Sequence, residues 1–417
     1  MNSSPRRIGI LLWIVNLSSI AASVFTYVYL SYFVYLRTGS VMLSEAVLLA
    51  PMVIPVVLCL AINHFAGAVS PRSLLVGFNA AGIVTALLSY AMIDRHIGAA
   101  IAGALVIGFI DAVQRVARTV AIKRYFSSAD VKYALPITLT AQFIAGGVAG
   151  VGLSFYKAQI TPEVAGLIVT GAFALAALAS WWLPRTANAT PTAAPQAAER
   201  AGHALRQIAR LLKGNGDLRR RFYAFLIVVS VFQGFFTVSR VTLPTHVLNL
   251  SQAFVGYLQI VSAMAALAAA LLYFWLGKRE VGIGKVGSVV LSGVSLLAMV
   301  AATTSPDVPV AYGLYFIYMF VWEILFFKYQ SEVVVVTPSD QMALVATFQY
   351  AGVYLGMLVC ALLGGLITQH ASLTTAALAF ALVYVVLMPL NAARHKPAGQ
   401  GETRAAGAPS TSLKKVP

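Results

Sequence analysis

The chain has 417 residues, 59% of them hydrophobic and only 10% charged, which is far too apolar for a soluble domain of this length. Its formal charge is +16, but the cations lie between apolar runs rather than in one basic face, so nucleic acid is excluded as a partner. The apolar runs recur from Ile8 to Leu390. Each is about 20 residues long, enough to cross a ~30 Å hydrocarbon core as a helix, and too continuous for the alternation of a barrel strand.

Taken in order, the predicted spans are 8–36, 41–63, 73–93, 97–121, 133–156 and 162–184, then 222–248, 251–276, 283–303, 310–329, 342–368 and 372–391. The first, preceded by Arg6 and Arg7, is too long for a cleaved signal peptide and lacks a small-residue cleavage site. Twelve crossings put both termini on one side. Of the 29 Lys and Arg residues, all but Arg37, Arg95, Lys157 and Arg240 then fall on that side. The positive-inside rule makes it the cytoplasm, and the expected location is a cell inner (cytoplasmic) membrane.

The expected organisation is a six-helix bundle over 1–184, a cytoplasmic linker over 185–221, a second bundle over 222–394 and a disordered cytoplasmic tail over 395–417. The linker opens with TANATPTAAPQAA, an Ala/Pro/Thr-rich flexible stretch. It continues with ERAGHALRQIARLLK, where Ala201, Leu205, Ile208 and Leu212 share a helical face and Arg200, Arg206, Arg210 and Lys213 lie off it. That is the pattern of an amphipathic helix on a membrane surface. Gly214-Asn215-Gly216 ends it.

The two bundles carry a weak internal repeat. Before span five, Asp130 is followed by Ala134-Leu135 and then Thr140, Gln142 and Phe143. Before span eleven, Asp340 is followed by Ala343-Leu344 and then Thr347, Gln349 and Tyr350. Both continue into glycine-spaced helix, with Gly146, Gly147, Gly150 and Gly152 in one and Gly352, Gly356, Gly364 and Gly365 in the other. Duplicated bundles of this kind are a transporter architecture, with sites near the bilayer midplane.

Asp111 and Glu323 sit mid-span at matching places in the two halves. A carboxylate at that depth is costly, so both are proton-coupling candidates. Asp111 and Arg115 are spaced to pair on one helix face; a switch that opens with water or substrate and a static lock are both open readings. Arg118 is placed to snorkel. Arg115 and Arg240 are candidates to hold an anionic substrate group, and Arg37 and Glu45 flank the first turn as interface residues. Tyr312, Tyr315, Phe316, Met319 and Glu323 follow helical spacing. They form either an aromatic wall beside a carboxylate, suited to a large amphipathic ligand, or a packing face; Tyr315 and Met319 are the binding candidates. Gln142, Gln233, Gln259 and Gln349 are uncharged polar groups within apolar spans, which line a cavity or bond across helices.

Cys59 and Cys360 each lie inside a span and read as small packing residues; no disulfide framework, metal-ligand spacing or metal site can be built from them. There is no phosphate-binding Gly-Lys-Ser/Thr loop and no nucleophile–base arrangement. No cofactor, enzymatic activity or ATP-driven pumping is expected. The expected partners are a small-molecule substrate, protons and the lipid bilayer. A single chain already holds both halves, so the expected unit is a monomer.

Two groups of six helices, a basic central loop and both ends on the cytoplasmic side resemble the major facilitator superfamily over nearly the whole chain. That superfamily's loop between helices two and three reads Gly, three residues, Asp, then a basic residue. Here it is Gly67-Ala68-Val69-Ser70-Pro71-Arg72, with Gly67 and Arg72 matching and Pro71 in place of the acid. Drug/proton antiporters of the superfamily carry an arginine in helix four, for which Arg115 and Arg118 are the positions here, and a Gly-Pro-rich helix five, which here keeps the glycines without a proline in AGGVAGVG. Helix one lacks the acid that several such antiporters carry. The stretch AIKRYFSSADVKYALPITLTAQF resembles the turn between helices four and five of small-molecule exporters related to the enterobactin exporters. The resemblance implies the all-α, pseudo-symmetric major facilitator fold with twelve transmembrane helices, and proton-coupled export of a siderophore-like or drug-like molecule by rocking of the halves. Uptake of a nutrient or ferric siderophore is the alternative, and a membrane sensor or enzyme a remote one.

Overall fold

A computed structural model describes residues 5–156, 160–185, 197–251 and 253–393. The Ala/Pro/Thr-rich part of the linker, the tail beyond Ala393 and Lys157 lie outside the described residues, and of Glu45 only the backbone is described. The chain forms α1 (Pro5–Thr38), α2 (Val41–Val57), α3 (Cys59–Ala68), α4 (Pro71–Met92), α5 (Ile97–Tyr125), α6 (Val131–Tyr156) and α7 (Pro162–Trp181) in its first half. Then come α8 (Ala197–Gly214), α9 (Gly216–Thr242), a π turn (Leu243–Val247), α10 (Ala253–Lys278), α11 (Lys285–Thr304), α12 (Val308–Val336), α13 (Met342–His370) and α14 (Leu373–Ala393).

Ten of the described helices are long and apolar enough to cross a membrane, and the number is eleven when the bent pair α2–α3 is counted as one span. Helix α6, packed between α1 and α10, takes the twelfth place in the bundle. The chain is thus an all-α, multi-pass membrane protein, as its composition predicts.

Local sequence sets most of the helix starts. Ser70, Thr161 and Asn215 accept from the backbone N–H three residues on, at 3.2, 3.5 and 3.0 Å. Pro71 and Pro162 follow the first two caps, where a missing N–H costs nothing. Two interruptions depart from the straight spans expected. The predicted span 41–63 breaks at Leu58 into α2 and α3, bent by 76°. Pro55 cannot donate to the carbonyl of Pro51, which weakens the turn before the break. Pro244 likewise has no N–H to donate to the carbonyl four residues back, and the backbone relaxes into the π turn, closed by Leu248 N–H to Leu243 O at 3.0 Å.

The two halves repeat one another in packing. In the first, α1 packs on α6, α4 on α7 and α5, and α2 on α5; in the second, α9 packs on α13, α11 on α14 and α12, and α10 on α12. The halves meet along two equivalent seams, α6 against α10 and α2–α3 against α13. Glycines allow close approach: a Cβ on Gly166 would sit 2.9 Å from Cβ of Tyr90, and one on Gly82 would sit 2.8 Å from the Phe173 ring.

Helices alternate in direction, so Pro5, the turns at 126–130 and 337–341, α8 and Ala393 share one end, called the base here, opposite the mouth. Helix α8 rests on α9 and α13 at the base. Its buried stripe is Ala204, Ile208 and Leu212, while Leu205, expected on that stripe, is 53% exposed. The side chain of Ala201 is not described.

Candidate functional site

The two seams leave a cavity between the halves, of about 250 Å³. Its wall comes from both halves: Arg115 on α5 and Gln142 on α6, facing Gln233 on α9, Gln259 on α10, Glu323 on α12 and Tyr350 and Tyr354 on α13. Phe225, Phe236, Met319, Trp322 and Phe326 supply much of the apolar surface. Of all the residues lining it, Arg115 and Glu323 are the charged ones.

On the first-half wall, Arg115 donates from Nε to Oδ2 of Asp111 at 2.8 Å, one turn away on α5. Arg118 lies on the other side of the same carboxylate, its Nη2 3.8 Å from Oδ1, and its Nη1 donates to Ser19 Oγ at 2.7 Å. Asp111 and Arg118 are buried, whereas the Arg115 side chain keeps 22% exposure toward the cavity. Two guanidiniums therefore share one carboxylate, and one positive charge is in excess. Asp111 does not itself line the cavity but stands behind Arg115. Around this cluster the first half is knitted by buried amides: Gln114 donates to Asn79 at 3.0 Å, and Asn16 donates to the carbonyl of Thr138 at 2.7 Å.

The second-half wall is different. Glu323 lies mid-helix on α12, 4% exposed, and Oε2 has no hydrogen-bond partner. No ion pair reaches it among the described residues, Arg115 included. Next to it in the chain, Trp322 donates from Nε1 to Met319 Sδ at 3.3 Å and stacks on Phe232. A buried carboxyl group on a cavity wall with no ion-pair partner is a group that an entering molecule can engage.

The base beneath the cavity is closed. Thr119 and Tyr350 hydroxyls meet at 3.2 Å, and Lys123 Nζ donates to the carbonyl of Val335 at 2.9 Å, each bond joining the two halves. One apolar cluster there contains Val116, Val120 and Leu135 from the first half with Val334, Met342 and Ala346 from the second.

Of the residues singled out from sequence, Arg115, Gln142, Gln233, Gln259, Met319 and Glu323 are brought together on the cavity wall. Tyr315 is instead buried in the second-half core, its hydroxyl 2.8 Å from Ser239 Oγ, and Tyr312 donates to the carbonyl of Phe254. Gln349 is buried with both amide atoms unpartnered and does not line the cavity. Arg240 lies over the Phe236 ring, 5.9 Å from its centroid. Arg72 lies over Trp181 at 5.3 Å, and Gly67 has open space where a Cβ would be. Arg37 pairs with Asp94 at 2.6 Å between exposed side chains. Cys59 and Cys360 are free thiols, Cys360 packed against Gly234. Sequence reasoning passed over Trp322, Phe326 and Tyr354. The signal was present, since 319, 322, 323 and 326 share one helical face and Tyr354 follows Tyr350 by one turn.

No protein-family model matches the chain, and no curated protein matches it in sequence. Solved structures do. The human organic anion transporter MFSD10 (TETRAN) superposes with a TM-score of 0.74 at 15% identity, over 93% of this chain and 100% of that one. A bacterial homologue of the iron transporter ferroportin, in an outward-facing state, gives 0.70 at 12% identity over 93% and 100%. The E. coli fucose:proton symporter FucP gives 0.68 at 14% identity over 93% and 98%. At such low identity these likenesses speak to architecture, and together with the duplicated six-helix halves they give the chain the major facilitator fold.

Proposed function

We propose that the protein is a secondary active transporter that carries a small organic molecule across a cell inner membrane by alternating access, with both termini in the cytoplasm and the single chain as the working unit. The observation that carries this reading is the central cavity between the two halves, walled by both and holding an unpaired carboxylate, Glu323. Contacts between halves at the base would have to part for the cavity to open there, while the α6–α10 and α2–α3–α13 seams serve as the rocking surfaces. The similar structures bear transporter names, among them an organic anion transporter and a proton symporter.

Glu323 is the proposed coupling group. A carboxylate in an apolar wall without a cation beside it is stable there only when neutralised. A proton does this in the empty protein, and a cationic or donor group on the substrate does it in the loaded one. Exchange of one for the other is proton antiport, and export is the favoured direction. Asp111, the other acid, is held between two arginines and is assigned to orienting Arg115.

The test uses inside-out vesicles with an inside-acid gradient read by a fluorescent dye, challenged with a panel of drugs and siderophores. Wild type is expected to dissipate the gradient with at least one compound, and Glu323→Gln to lose that response at equal expression. A Glu323→Gln protein that still exchanges protons for substrate refutes the assignment. Substrate-driven acidification in whole cells, with accumulation inside, favours proton-coupled uptake.

A further inference from the structure

The cavity carries a cationic group on one wall and an acid on the other. On one side the Asp111–Arg115–Arg118 cluster carries one positive charge in excess, and Arg115 is its member exposed to the cavity. On the other side Glu323 has no cation. No ion pair joins Arg115 to Glu323, so neither group serves as the other's partner. Between them the wall is aromatic, with Phe225, Phe236, Trp322 and Phe326, and amides at Gln142, Gln233 and Gln259 provide uncharged donors and acceptors.

We infer that the ligand of this cavity is a zwitterion built on an aromatic ring, its anionic group on Arg115 and its cationic group on Glu323. The reason is electrostatic. An anion satisfies Arg115 and leaves Glu323 with its proton, and a cation satisfies Glu323 and leaves the excess positive charge at Arg115, whereas a zwitterion gives each group a charged partner in a low-dielectric space. The arginine fork suits a carboxylate or similar planar anion, and rings between the walls suit a flat apolar body. The size agrees: about 250 Å³ lies just below the ~300–1,000 Å³ of drug-sized pockets, which favours a molecule with one ring system over a large chelator. This inference rests on the central cavity being the substrate site, and it adds the anionic end at Arg115 to the exchange proposed at Glu323.

The experiment is isothermal titration of the purified full-length protein in detergent with three probes of one skeleton: phenylalanine, phenethylamine and 3-phenylpropionate. Wild type is expected to bind phenylalanine at least tenfold more tightly than either singly charged analogue. Glu323→Gln should bring phenylalanine down to the level of 3-phenylpropionate, whose own affinity is retained. Arg115→Gln should bring it down to the level of phenethylamine. The retained binding in each variant certifies that it is folded. Equal affinity for the three probes, tighter binding of a singly charged one, or no binding of any by folded wild type overturns the inference. Reconstitution in proteoliposomes separates it from the transport reading. Phenylalanine bound with this pattern but not carried across the membrane leaves the zwitterion site standing and refutes transport. Transport of 3-phenylpropionate or phenethylamine in preference to phenylalanine refutes the zwitterion and leaves transport standing.

Discussion

Replacing Asp111 by Asn isolates the charge arithmetic of the first half. The wild-type cluster has one carboxylate and two guanidiniums, with contacts of 2.8 and 3.8 Å. At an effective dielectric constant of ~20, a pair of unit charges about 4 Å apart is worth ~4 kcal/mol. The substitution keeps size and shape but removes both attractions. It leaves two positive charges in the same pocket, where Arg118 is only 6% exposed and still desolvated. Part of the loss is recovered as Arg115, 22% exposed, swings into the cavity toward water. The expected cost is therefore about 3–5 kcal/mol, the range for stripping one partner from a buried pair. The assay is reversible unfolding in mixed micelles with increasing SDS, followed by tryptophan fluorescence. A second variant, Asp111→Asn with Arg118→Met, returns the cluster to one positive charge and should recover more than half of the lost stability without restoring the orientation of Arg115. A loss below about 1 kcal/mol for Asp111→Asn would place the pair in the class of hydrated surface bridges and refute the burial argument.

Three further outcomes are expected. Gly166→Val forces a side chain onto Tyr90, 2.9 Å from where its first carbon would lie, and should cost about 1–3 kcal/mol in the same unfolding assay. Lys123→Ala removes a hydrogen bond that ties the base of one half to the other, worth about 1.5–3 kcal/mol for a charged donor. It should raise the labelling rate of a cysteine placed at Tyr350, and an unchanged rate would mean that the bond does not hold the base closed. In the turn at the base, hydrogen bonds from Ser127 and then Tyr133 hold the Asp130 carboxyl below the usual carboxylate range. A depressed value in the folded state means that the contribution is complete above the ordinary value of about 3.9 and is lost as pH falls through the folded one. Asp130→Asn should therefore flatten the decline of thermal stability below about pH 4 and leave its slope near pH 7 unchanged; an altered slope at neutral pH would contradict this.

Much of the architecture was legible in the sequence because lipid removes choices. Runs of about 20 apolar residues have to be helices, and the sidedness of Lys and Arg gives an orientation for them. The half-repeat around Gln142 and Gln349 predicted two alike bundles, and the packing of α1–α6 and α9–α13 reproduces that likeness. A repeat in sequence does not carry a repeat in role: Gln142 reaches the cavity while Gln349 is sealed behind it. The bend at Leu58 was less legible, since Pro51 and Pro55 mark a weakened segment without saying which way its two parts point.

Sequence by itself determined that Asp111 and Glu323 would lie at similar depth, because depth along a helix follows from residue count and a fixed rise. It also determined that Asp111 could meet Arg115, because i, i+4 spacing is local geometry. Only the tertiary structure decided that Arg118 comes to the same carboxylate and that no cation comes to Glu323. It alone decided which face of α12 looks into the cavity: Met319, Trp322, Glu323 and Phe326 line it, while Tyr315 is turned into the core. The reason is rotational: in a bilayer every face of such a helix is apolar enough to bury, so neighbouring helices, rather than the pattern of the helix itself, fix its rotation.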